Sequence, residues 1–185
     1  MTDLDVLILR GAPGVGKSTL GRGLRRQLDH GSVIEVDDIR GMLASVDWTS
    51  RIHHDIALSV ALDALLSFVR VEVRPVVLID TFSRSRLQGV QSRLSEAELR
   101  HHTLSLWLEP ELLAARLRER KSGFCDWEPS RVLNEEARTN RYPNEEFIDT
   151  NKIKFITAAH QLLIDRLHQG KVALLGGEVV HIEVI

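Results

Sequence analysis

The stretch Gly11-Ala12-Pro13-Gly14-Val15-Gly16-Lys17-Ser18, followed by Thr19, fits the pattern G-x-x-x-x-G-K-[ST]. Its flanks decide the fold as much as its letters. Leu4-Asp5-Val6-Leu7-Ile8-Leu9 enters it as an apolar run suited to a buried parallel strand. Leu20, Leu24 and Leu28 leave it at helical spacing, with Gly21 leaving room for close packing. Strand, glycine turn and helix in that order are the setting in which this pattern cradles phosphate. Glycines admit positive φ and let backbone N–H groups approach phosphate oxygens with no Cβ between them. The helix that starts at the loop adds unpaired N–H groups and the positive end of its dipole. The backbone from Gly11 to Thr19 is therefore expected to hold the phosphates of ATP, with Lys17 reaching the β- and γ-phosphates and the Ser18 hydroxyl on Mg²⁺. The competing reading, a glycine turn beside a surface lysine, leaves the flanking pattern unexplained.

The chain has 185 residues, 43% hydrophobic and 27% charged, a composition that suits one globular domain with a proper core. No apolar run approaches the ~18 residues of a membrane span, and the acidic N-terminus leads straight into the first strand. Neither a membrane-crossing helix nor a secretory signal is expected. Cys125 is the lone cysteine, so no internal disulfide forms and a reducing cytoplasm is the expected compartment. A net charge of −2 gives no global pull on nucleic acid, although a local basic groove is compatible with it.

Apolar strand-like runs alternate with amphipathic helical patterns, which implies a parallel sheet covered on both faces. Strands are expected over 4–9, 33–36, 75–80 and 103–108. Helices are expected over 17–29, 38–45, 51–71, 84–98, 110–121, 130–140 and 152–169. The 51–71 pattern carries Ile52, Ile56, Leu58, Ala61, Leu62, Leu65, Leu66 and Phe68 as a broad apolar face. Phe147-Ile148-Asp149 is assigned as the fifth parallel strand. Val172–Leu175 and Glu178–Val184 flank Gly176-Gly177 and read as an edge hairpin over 172–185. The expected fold is a three-layer α/β/α sandwich in one domain spanning 1–185. Gly123 and Pro129 break the helical pattern after an arginine-rich helix, so that 116–141 reads as a lid over the nucleotide, against an ordinary surface loop.

Three further groups carry chemistry. The second strand runs into Val36-Asp37-Asp38-Ile39-Arg40, and ligands of open α/β sheets sit outside the carboxyl ends of strands. A carboxylate there is placed to accept a proton from an acceptor hydroxyl, and Asp37 is the choice. Asp38 serves the acceptor site or caps the next helix, and Arg40 could hold an anionic group on the acceptor. The alternative is a pair of acids stabilising a helix dipole. Pro75-Val76-Val77-Leu78-Ile79-Asp80-Thr81 ends an apolar strand in Asp, the pattern whose carboxylate positions Mg²⁺. Arg116 and Arg120 share a helix face, where arginines stack on adenine or neutralise phosphate charge, or simply face solvent. Arg131, Arg138 and Arg141 follow as further cations. The adjacent pairs His53-His54 and His101-His102 point in different directions on their elements, which argues against a shared metal. Cys125 has no evident activating neighbour, and Trp48 and Trp127 read as pocket walls or as packing.

Together these residues resemble the P-loop kinase group that includes the 5′-hydroxyl kinase domain of polynucleotide kinase. The resemblance covers roughly residues 4–150 and rests on GAPGVGKS and on Asp37-Asp38-x-Arg40, which matches the group's acceptor motif in letters and in distance from the loop. It implies an adenylate-kinase-like α/β/α fold, Asp37 as general base and Arg40 as binder of the acceptor's phosphate. It further implies Asp80-Thr81 as the strand-end pair and Arg116 and Arg120 as lid arginines. Relatives with similar motifs phosphorylate sugars, antibiotics or nucleotide sugars, so the resemblance leaves the acceptor open.

The leading expectation is an ATP- and Mg²⁺-dependent kinase acting on an acceptor hydroxyl. A small-molecule acceptor is slightly favoured over a nucleic-acid 5′-hydroxyl, because no basic run beyond Arg22, Arg25 and Arg26 is evident. The alternative is an ATPase or nucleotide-dependent binding switch, which would want a water-positioning Glu beside Asp80 where Thr81 stands. Nothing in the sequence assigns an oligomeric state.

Overall fold

The apolar runs become strands whose side chains alternate between two buried faces. The computed structural model describes residues 4–120, 123–139 and 145–151. Strands β1 Val6–Gly11, β2 Ser32–Glu35, β3 Val76–Asp80, β4 His101–Trp107 and β5 Glu145–Asp149 form one parallel sheet. Their order is β2-β3-β1-β4-β5. The helices are α1 Lys17–Arg25, α2 Val36–Arg40, α3 Arg51–Arg70, α4 Arg84–Glu96, α5 Pro110–Glu119 and α6 Trp127–Thr139. From β1, Leu7 and Leu9 pack on one face with Leu20 and Leu24 of α1 and Leu113 and Leu117 of α5. Val6 and Ile8 pack on the other with Ala57 and Leu65 of α3 and Leu87 and Leu94 of α4. This is the expected three-layer α/β/α sandwich, with 147–149 inside its fifth strand. The helix expected over 152–169 and the hairpin over 172–185 lie outside the described residues.

All carboxyl ends of the strands lie on one side, so the segments that leave β1, β2 and β3 converge there. The phosphate loop follows β1, Asp37 follows β2, and Asp80-Thr81 ends β3. A Cβ on Gly21 would lie 2.3 Å from Ile79 Cδ1, which bears out the close packing expected of that glycine against β3.

Several boundaries differ from expectation, and two of the differences bear on the site. β2 stops at Glu35 and α2 spans only Val36–Arg40, rather than 38–45. Asp37 and Asp38 thus occupy the first turn of a short helix, where acids are favoured by the dipole. Helix α6 begins at Trp127, because Pro129 in its first turn needs no N–H partner. It is also anchored. The buried Asn134 accepts from Leu108 N at 3.2 Å and donates to Leu108 O at 2.7 Å. The expected lid therefore consists of the end of α5, a connection and a helix fastened to the sheet.

Helix α3 is long and apolar enough to cross a membrane by composition. Its His54, Ala57, Ala61, Leu62, Leu65 and Val69 are buried, which is the pattern of a helix covering a sheet. Charge is buried as well. Arg10, 1% exposed at the end of β1, bonds Ser105 Oγ at 2.6 Å and Glu145 Oε1 at 2.8 Å, tying β1, β4 and β5 together beneath the loop.

Candidate active site

The site grows from the loop outward. Gly14 and Gly16 stand at φ 87° and 107°, the left-handed region that L side chains rarely adopt. Gly16 then caps α1, so the first N–H groups of that helix open onto a cavity of about 590 Å³. Lys17, Ser18 and Thr19 line this cavity together with Asp37, Asp80 and Thr81.

Lys17 is folded onto the loop. Its Nζ donates to Gly11 O at 2.8 Å, Ala12 O at 3.0 Å and Thr81 Oγ1 at 3.2 Å, which uses all three ammonium donors. Burial lowers its pKa to about 8, against the opposing charges of Asp80 and Asp37. Asp37 lines the cavity and is exposed to it. Desolvation by the protein around its carboxyl raises its pKa, and the charge of Asp80 adds to the rise, while Lys17, Arg40 and Arg120 oppose it. Asp38 is exposed and does not line the cavity.

Arg40 does something the sequence did not suggest. It is 6% exposed, and its Nη2 donates to Asp47 O at 2.8 Å and Ser50 O at 3.0 Å. Its guanidinium lies 5.2 Å from the centroid of the Trp48 ring. Arg40 thereby holds the connection 41–50 as a wall of the cavity, in which Trp48, Thr49 and Ser50 face the site. Beside that wall, Arg51 and Arg86 share Asp55, at 3.6 and 3.0 Å.

On the opposite side, Arg116 and Arg120 of the α5 region both line the cavity, whereas Arg118 is exposed away from it. Arg116 Nη1 donates to Gly14 O at 3.3 Å and Arg120 Nη1 to Phe124 O at 3.4 Å. Arg131 and Arg138 form ion pairs with Glu128 and Glu135 on α6 and do not line the cavity. Arg141 lies outside the described residues. Trp127 and Cys125 also stay off the cavity, and Phe124, Pro129 and Leu133 form its apolar end.

Sequence reasoning missed one residue. His54 of α3 lines the cavity and its Nε2 lies 2.7 Å from Asp80 Oδ2, both side chains being buried. The neighbouring His53 points elsewhere, its Nδ1 accepting from Asp47 N at 3.1 Å. A signal did exist: His54 falls in the buried stripe of α3, and a polar residue there needs a partner.

As for a metal, Ser18 and Asp80 offer a hydroxyl and a carboxylate to the same cavity, the hard oxygen donors that suit Mg²⁺. No group of three or more His, Cys, Asp or Glu side chains is placed to cage an ion among the described residues.

A five-stranded parallel sheet with a glycine loop at the carboxyl end of its central strand defines a nucleotide-binding protein with the α/β fold of the P-loop kinases. The chain belongs to the AAA domain family, which matches residues 6–138. Among solved structures it is similar to the tunicamycin resistance protein of Deinococcus radiodurans, at 21% identity and a TM-score of 0.65, covering 88% of this chain and 95% of that one. It is similar to shikimate kinase from Bacteroides thetaiotaomicron at 17% identity and a TM-score of 0.61, covering 89% and 98%. A chain of the Pnkp1/Rnl/Hen1 RNA repair complex matches at 20% identity and a TM-score of 0.61, covering 77% of this chain and 47% of that one. At these identities the likeness is one of fold. No curated protein matches the chain in sequence.

Proposed function

We propose that this protein is a kinase that transfers the γ-phosphoryl group of ATP to a hydroxyl of a small molecule, with Asp37 as the general base. One observation carries the reading: a carboxylate with a raised pKa shares a single cavity with the lysine and helix N-terminus of a phosphate loop. A base works best when its pKa approaches the working pH, and desolvation moves Asp37 in that direction. Lys17 leaves the loop carbonyls for the transferring phosphoryl group, Arg120 adds charge from the α5 side, and Arg116 flanks the nucleotide. Ser18 and Asp80 would hold Mg²⁺, which neutralises charge on the phosphates when bound. The wall held by Arg40 and Trp48 forms the acceptor side. Asp38 is left out of the scheme, since it faces away from the cavity.

The charge pattern supports a small acceptor over a nucleic acid. A polyanion needs cations free to displace its counterions. Here Arg40 is buried on backbone carbonyls, and Arg51 and Arg86 share Asp55. Shikimate kinase is a neighbour named for a small acceptor. The alternative, a nucleotide switch, wants a carboxylate beside Asp80 to position water. Thr81 stands there, and its hydroxyl is bonded to Lys17. An ATP donor and a lone cysteine fit a cytoplasmic setting, which belongs to the same proposal.

The experiment is transfer of label from γ-labelled ATP onto a panel of hydroxylated metabolites and onto 5′-hydroxyl oligonucleotides, with Asp37→Ala as the control. Label on a metabolite, lost in the control, is the expected result. Label on oligonucleotides alone would overturn the small acceptor, and hydrolysis indifferent to every acceptor would favour the switch.

A further inference from the structure

We propose that His54 is a positioning residue for the metal-binding carboxylate: it fixes the orientation of Asp80 and joins it to the wall of the acceptor side. The inference rests on the assignment of Asp80 to Mg²⁺ and not on the identity of the acceptor.

Asp80 ends β3 with a side chain 2% exposed, and its hydrogen bond to His54 spans two elements far apart in sequence. An ionised carboxylate can only accept, so Nε2–H of His54 is the donor and Oδ2 is the oxygen engaged. A carboxylate turns freely about its last torsion, whose wells are broad. A short bond to one oxygen removes that freedom and leaves Oδ1 as the oxygen available to a metal or its water. Hydrogen bonds of this kind behind a ligating group typically govern metal affinity by about 10–100-fold.

The other end of the histidine leads to the acceptor side. His54 lies in the first turn of α3, whose N-cap Ser50 accepts from His53 N at 3.3 Å. The carbonyl of Ser50 receives both His54 N at 3.3 Å and Arg40 Nη2 at 3.0 Å. Asp80, His54, Ser50 and Arg40 are thus linked by consecutive hydrogen bonds, and Ser50 ends the connection that walls the cavity.

The test reads ATP binding rather than transfer. A fluorescent ATP analogue is titrated against the full chain in EDTA and across a range of Mg²⁺ concentrations. His54→Ala is expected to raise the Mg²⁺ needed for half-maximal enhancement about tenfold while leaving affinity in EDTA unchanged. His54→Gln, whose amide N–H reaches about as far as Nε2, restores the parent Mg²⁺ dependence. The proposal is overturned if His54→Ala keeps the parent Mg²⁺ curve, if it loses affinity equally in EDTA, or if Gln behaves as Ala. Should the Ala variant fail to fold, His54→Phe, which keeps a ring but offers no N–H, takes its place in the same comparison with Gln. A parent protein whose ATP binding ignores Mg²⁺ would overturn the assignment of Asp80. Absence of any phosphorylated acceptor would overturn only the kinase reading.

Discussion

The phosphate-loop side of the cavity is made of backbone from one contiguous stretch, residues 11–18, held between β1 and α1. The facing side is made of side chains drawn from α2, the connection 41–50, α3 and the end of β3. Its bonds run from Arg40 to Asp47 and Ser50 and from His54 to Asp80. Backbone donors in a glycine loop recognise phosphate whatever it is attached to, because the N–H groups and the helix dipole see only charge. A side-chain wall can be rebuilt by a few substitutions without disturbing that loop. On the proposed reading, one half of the cavity takes the phosphate donor and the other the acceptor.

If the two halves are separable, Asp37→Asn breaks transfer and spares the donor. Transfer should fall about 10²–10⁴-fold, the usual worth of a general base. ATP affinity should stay within about threefold of the parent. Comparable losses in both would show that the halves are one unit. The acid limb of kcat/KM in the parent should lie above the ordinary carboxylate range, since desolvation and the charge of Asp80 both favour protonated Asp37. Lys17→Ala is the converse: a loss of about 10²–10³-fold in transfer, with ATP binding weakened as well. Intact nucleotide affinity in that variant would remove Lys17 from the donor site.

The two halves also differed in how far the sequence revealed them. The loop was legible because its residues are adjacent and its strand and helix flank it. Asp37 was legible as a residue just beyond β2, although α2 ends at Arg40 rather than running to 45. The reason is that Arg40 turns back to bond the carbonyls of Asp47 and Ser50, contacts that no helical period encodes. His54 and Asp80 each fit their local patterns, one in an amphipathic helix and the other at a strand end. Only the requirement that buried polar groups be satisfied connects them. Arg10 is similar: a charge at the buried end of β1 demanded a partner, and Glu145 came from β5.

Protonation sharpens the comparison next, because Lys17 belongs to the donor side alone. Its pKa in the folded protein is about 8, below the ordinary lysine value, since burial disfavours the ammonium. Below pH 8 the ammonium is already formed and ATP meets it directly. Above pH 8 binding must take up a proton, so the Kd for ATP rises by about tenfold per pH unit until the pKa of the complex is reached. The unfolded chain holds this proton more tightly, so between about 8 and 10.5 the same group makes the ATP-free protein gain stability as pH rises. Calorimetry of ATP binding from pH 7 to 9.5 measures the slope. Lys17→Arg, charged throughout, should flatten it. A slope that survives in Lys17→Arg would assign the titration to another group.

The smallest effect is expected from Arg40→Lys, and it probes the acceptor side alone. Arginine at this position makes two kinds of contact at once, a pair of bonds from Nη2 to the carbonyls of Asp47 and Ser50 and a planar face near the Trp48 ring. Lysine keeps the charge and can bond carbonyls, but its ammonium has no plane to lay on an indole. The connection 41–50 should remain, held less firmly, with Trp48 free to turn. An arginine–aromatic contact is worth about 0.5–2 kcal/mol, so the KM for the acceptor should rise by about two- to thirtyfold. The kcat and the ATP Kd should stay near the parent values, because neither the base nor the loop is touched. That split, a higher acceptor KM with an unchanged kcat, is the mark of a wall that binds substrate and transition state alike. An unchanged acceptor KM would mean that the wall faces no acceptor. A parallel loss of ATP affinity would mean that the wall supports the loop, and the two halves of the cavity would then have to be treated as one.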